Sequence, residues 1–86
     1  MTVIVDFSAN RDVDFKHEDL SHLVNGLEDT FETSMPYVEN SLDVRMNGLP
    51  LVRNADNGFI FIDSTHFQCK EPPPVGAFFE IKYVVL

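Results

Sequence analysis

One cysteine, Cys69, among 86 residues leaves no partner for an intrachain disulfide, which excludes the stapled frameworks of small secreted domains. Synthesis in a reducing cytoplasm is the expectation. Long hydrophobic runs are also missing: the apolar stretches at 3–5, 59–62 and 83–86 fall far below the roughly 20 residues that span a bilayer. Residues 1–7 carry no basic leader, and Asp6 interrupts their apolar stretch, so no signal peptide is expected. Basic side chains are scarce, with 6 Lys and Arg against 14 Asp and Glu and a formal charge of −8. Such a balance argues against a nucleic-acid backbone or an anionic membrane as partner and leaves proteins as the expected partners. The deficit is uneven, with a net charge of −7 in residues 1–40 and −1 in residues 41–86.

Glycine is scarce too. Gly26, Gly48, Gly58 and Gly76 each sit at an expected turn, and none belongs to a phosphate-cradling loop. No cofactor is expected. Ser34, Ser41 and Ser64 lack the Gly-x-Ser-x-Gly elbow of a nucleophile. Glu28, Asp29, Glu32 and Glu39 have no basic and aromatic surroundings suited to acid–base chemistry, and a solvated acidic face accounts for them. His17 and His22, five residues apart, would stand about 140° apart on a helix, and no metal-binding frame accompanies them. His66 and Cys69 fall on opposite faces of a strand. Residues 54–58, Asn-Ala-Asp-Asn-Gly, begin like a calcium loop but lack the closing Glu, which leaves a turn. No catalytic, cofactor-binding or metal-binding residue is assigned, and an enzyme is not expected.

What the chain does have is strand grammar. Leu42, Val44 and Met46 alternate with Asp43 and Arg45 directly before Asn47-Gly48, which supplies the two positive φ angles of a type I′ hairpin turn. Strands are expected near 30–34, 41–47, 50–53, 59–63, 66–70 and 77–85, joined by connectors rich in Pro, Gly, Asn and Asp. Pro50 lacks a donor for a ladder and should force its strand to a sheet edge. Phe31, Phe59, Phe61, Phe67 and Phe79 are the expected core rings.

The front of the chain reads differently. Residues 2–7 fit a short strand or an extended arm, and residues 8–19 read as an acidic linker anchored only by Val13 and Phe15. Leu20, Leu23, Val24 and Leu27 carry the spacing of one helix face, so residues 16–24 fit a short helix as well as a continued linker. The expected fold is therefore all-β: a small antiparallel β-sandwich over 25–86, with an extended N-terminal arm over 1–24 that contains at most one short helix.

Several pieces fall in a recognisable order. Thr30-Phe31, Ser34, Pro36, Ser41-Leu42-x-Val44 and Asn47-Gly48-Leu49 precede Gly58-Phe59-x-Phe61, then Pro73-Pro74-x-Gly76 and Ile81-x-Tyr83. Over residues 25–86 this resembles a small β-sandwich module of bacteriophage tail, tail-fibre and other virion appendage proteins. The resemblance implies a non-enzymatic virion structural protein, a tail, neck or fibre-attachment adaptor, made in the host cytoplasm and assembled with copies of itself and other virion proteins. A free-standing acidic module that occupies a basic surface of a host protein is the rival expectation. Under the first, Val3, Val5, Phe7, Val13 and Phe15 would be buried between chains, supplementing a core too small to provide more than about 3–5 kcal/mol alone.

Overall fold

The computed structural model describes residues 14–86. Among the described residues, seven strands form two antiparallel sheets. In the larger sheet the order is β1 (Phe15–Asp19), β7 (Phe79–Val84), β3 (Asp43–Met46), β4 (Leu49–Pro50); in the smaller it is β2 (Thr30–Glu32), β6 (His66–Cys69), β5 (Phe59–Asp63). The chain is an all-β sandwich, and its inner faces follow from two-residue alternation. Along β7, Phe79, Ile81 and Tyr83 are buried while Lys82 faces solvent; along β6, Phe67 and Cys69 are buried. The Phe67 ring lies 5.8 Å from that of Phe31 and 6.3 Å from those of Phe59 and Phe79, joining both sheets in one aromatic core.

The hairpin between β3 and β4 turns at Asn47 and Gly48, with φ of 54° and 84°, the left-handed pair that a type I′ turn needs. Pro50 lies opposite Arg45 in β4, the outermost strand of its sheet, where a missing N–H costs nothing.

Three expectations are corrected. Residues 15–19 are not linker: all five pair with β7, from Phe15 opposite Val84 to Asp19 opposite Glu80. Residue 24 therefore does not mark where the sandwich begins. The strand escaped notice because its inward positions are Lys16 and Glu18, opposite Tyr83 and Ile81; hydrogen bonding rather than apolar burial holds it. Residues 16–24 do not form a helix either, apart from one 3-10 turn at Ser21–Leu23. The backbone there is taken up by β7: Leu20 N–H donates to Phe79 O, and Phe79 N–H donates to Ser21 Oγ. Of the helix-like stripe, Leu20 is buried while Leu27 lies open to solvent. Phe61, finally, is not a core ring but a marginal one, 36% exposed, because β5 is the outer strand of the smaller sheet. Its place is taken by Tyr37, 1% exposed, which no strand pattern announced. Tyr37 bridges to Val85, donates its hydroxyl to His66 O at 2.8 Å, and sets its ring against those of Phe61 and Tyr83.

Candidate interaction surface

Of the residues expected at an interface, Val3, Val5, Phe7 and Val13 lie outside the described residues. Phe15 opens β1 on the outer face of the larger sheet, 62% exposed, with Lys82 Nζ 5.7 Å above its ring. Register places Phe15, His17 and Asp19 of β1 beside Val84, Lys82 and Glu80 of β7, and Asp43 and Arg45 of β3 beyond them. His17 Nε2 stands 2.6 Å from Glu80 Oε1, and Arg45 Nε stands 3.3 Å from Asp43 Oδ2. Both signs of charge alternate across this face, and their pairs surround a shallow recess of about 170 Å³ between His17, Asp43, Arg45, Glu80, Ile81 and Lys82. Exposed pairs of this kind contribute little to stability and fix register more than affinity.

The polar groups that chemistry might use are engaged in structure. The Glu18 carboxylate accepts from the hydroxyls of Tyr83 and Ser34 and from Ser34 N–H. Partial burial would push its pKa up, but these hydrogen bonds, with the nearby Lys16 charge, outweigh burial and hold it below the ordinary value. Burial and the bond to Glu18 together push the Tyr83 hydroxyl up. This cluster joins β1 and β7 to the loop after β2, and only the inward position of Glu18 on a strand could have announced it.

His66 Nδ1 lies 2.9 Å from Asp63 Oδ1 and 3.0 Å from Thr65 Oγ1, within the turn that links β5 to β6. Asp63 is held below the ordinary carboxylate range, first by Thr65 N–H and then by His66. Cys69 is buried in the core, and burial, aided by the Asp29 charge, pushes its thiol up to about 12, which removes thiolate reactivity at neutral pH. Glu39 and Asn40 accept from the guanidinium of Arg53, fastening the loop before β3 to the segment before β5. Among the described residues no three His, Cys, Asp or Glu side chains converge to hold a metal ion. No described helix is long and apolar enough to cross a membrane.

Among the described residues, apolar surface and unpaired strand flanks remain. Phe61 and Ile62 on β5 are partly exposed, as are Met35 and Val38 on the loop that crosses the same end of the sandwich. Leu49 and Val52 are exposed around β4. Comparison with protein-family models, curated proteins and solved structures finds no match to this chain.

Proposed function

We propose that this chain is a non-enzymatic structural protein of a bacteriophage virion, a tail, neck or fibre-attachment adaptor assembled in several copies through protein–protein contacts. The observation that supports it is the contrast between interior and rim. The interior is filled by the rings of Phe31, Phe59, Phe67, Phe79, Tyr37 and Tyr83, while apolar side chains stand exposed beside open strand flanks. A part of this kind binds by presenting strands and apolar edges to a neighbour rather than by enclosing a small molecule. The order of hairpins over 25–86 adds the resemblance to virion appendage modules. Residues 14–24 are folded into the sandwich, which confines any docking arm to residues 1–13.

The test is immuno-electron microscopy, with an antibody raised against the purified chain, of phage particles from the source of this sequence. Labelling of tail, neck or fibre base at several copies per particle is expected. A chain found free in the lysate and missing from the particles overturns the proposal and favours a host-directed binding module.

A further inference from the structure

The outer face of the larger sheet carries its charged side chains in two register rows. His17, Lys82 and Asp43 lie side by side in one, and Asp19, Glu80 and Arg45 lie side by side in the next. Each strand supplies one residue to each row, two positions apart and so on the same outward side. On β7 and on β3 the two are opposite in sign, and on β1 an imidazole stands two residues before a carboxylate. Lys82 and Arg45 against Asp19, Asp43 and Glu80 leave this face a net charge of −1 where the whole chain carries −8, so repulsion between copies is small here. Apolar side chains close both ends. Phe15 lies beside Val84 ahead of the first row, and Phe78, 46% exposed, lies beyond the second, its carbonyl accepting from Asn47 N–H.

A two-fold axis lying across the strands, between the two rows, turns each row onto the other. It sets Lys82 of one copy against Glu80 of a second, Asp43 against Arg45 and His17 against Asp19, with every contact made twice. The same rotation lays Phe15 and Val84 of one copy over Phe78 of the other, so the apolar ends meet as well. A two-fold running along the strands would instead oppose Lys82 to Lys82 and Glu80 to Glu80, which like-charge repulsion disfavours. Within one copy His17 is paired with Glu80 and Arg45 with Asp43, while Lys82 and Asp19 have no ion-pair partner among the described residues. Pairing across the axis gives Lys82 a carboxylate and Asp19 an imidazole without breaking the existing pairs.

We propose that the outer face of the larger sheet binds the same face of a second copy about this axis, through complementary rows of charge. The proposal rests on the multi-copy reading above and supplies one of its contacts. Strands about 4.8 Å apart and residues about 3.4 Å apart give the three-strand face only about 300 Å² per copy, well below the roughly 800 Å² per partner of a standard interface. An isolated pair is therefore weak and salt-sensitive, and further contacts in an assembly reinforce it.

The experiment uses the full chain with Asp43→Lys and Arg45→Glu, whose parent side chains are 41% and 45% exposed, so the sandwich stays folded, as circular dichroism would verify. In sedimentation equilibrium at about 1 mM protein and low ionic strength the parent dimerises, and raising the salt from about 0.01 M to about 1 M weakens the dimer about tenfold or more. Asp43→Lys opposes Arg45 of the second copy and Arg45→Glu opposes Asp43, so each variant alone associates about tenfold or more weakly than the parent at low salt. An equimolar mixture restores association to the parent level, because every contact in the mixed pair is again between opposite charges. Should either variant not fold, Lys82→Glu and Glu80→Lys are related by the same axis and replace them. Variants that weaken association while their mixture stays intermediate between them overturn the axis. Variants that associate as the parent does overturn the face and leave multi-copy assembly standing. A parent that remains monomeric overturns the inference, and the labelling of particles decides the multi-copy reading separately.

Discussion

Tyr83 donates its hydroxyl to the Glu18 carboxylate, adding a side-chain tie to the main-chain ladder by which a buried core strand holds an edge strand that has no apolar inward face of its own. Glu18 also accepts from Ser34, so its charge is stabilised from two sides. Because its folded pKa lies below the unfolded value, its contribution to stability is fully present above the ordinary glutamate pKa and is lost as pH falls through the folded pKa. Stability measured by urea denaturation should therefore decline below about pH 5, and Glu18→Gln should flatten part of that decline. Tyr83→Phe should cost about 1–2 kcal/mol at pH 7, since it removes a hydrogen bond to a charged group. A parent-like pH profile in Glu18→Gln would mean that the cluster does not hold the edge strand.

In the turn before β5, Gly58 is required by a close approach rather than by a positive φ. A Cβ on Gly58 would stand 1.6 Å from the carbonyl oxygen of Val52, which is backbone and cannot step aside. At Gly48 an added Cβ would meet nothing within 4 Å, but φ is +84°. Gly58→Ala should thus cost more than about 2 kcal/mol, and Gly48→Ala about 1–2 kcal/mol. Thermal denaturation of the two variants side by side checks the order; a larger loss at Gly48 would contradict it.

These two turns show what the sequence makes visible. Asn47-Gly48 is legible because a short local motif encodes the geometry, and the strands around it are legible because one face of each is buried and apolar. Gly58 is legible as a turn, but its contact with Val52 depends on where two segments meet in space. β1 is hidden for the opposite reason. Its inward residues, Lys16 and Glu18, have no core to face, and its order comes from main-chain bonds to a strand more than sixty residues away. Tyr37 is hidden because it lies in a loop whose burial depends on tertiary closure over Val85 and His66. The aromatic core was legible in composition, yet only position in the sheet separates Phe67 from Phe61. Of the expected interface only Phe15 lies among the described residues, and its pairing with Val84 emerges only from the register of β1 on β7.

Burial of Cys69 sets a kinetic prediction. With its thiol pushed up to about 12 and shielded by the core, native protein should react with a thiol-specific disulfide reagent at pH 8 more than about 100-fold slower than urea-unfolded protein. Absorbance at reagent release measures both rates. Equal rates would place Cys69 at the surface.

Tyr37 combines packing with a hydrogen bond, and two substitutions separate them. Tyr37→Phe removes only the bond to His66 O and should cost about 1 kcal/mol, including the unpaired carbonyl it leaves. Tyr37→Leu also removes the ring contacts with Phe61 and Tyr83 and should cost about 2–4 kcal/mol. Chemical denaturation followed by tyrosine fluorescence and circular dichroism would rank them. Equal losses would show that the ring contributes no packing.

Phe67 is fully buried and touches rings from both sheets, so its removal tests whether one aromatic core joins them. Phe67→Ala should cost about 3–5 kcal/mol, a sum of lost transfer energy and a cavity that rigid neighbouring rings cannot fill. A domain of this size without disulfide or metal has about 3–5 kcal/mol to lose, so that variant should be largely unfolded at 25 °C. Phe67→Leu keeps most of the volume and should remain folded, with a urea midpoint lowered by about 1–2 kcal/mol of stability. Phe15→Ala, at an exposed ring, should shift stability by less than about 0.5 kcal/mol in the isolated chain. The contrast carries the test: if Phe67→Ala retains the parent midpoint while Phe15→Ala loses it, the rings between the sheets do not form the core that holds them together.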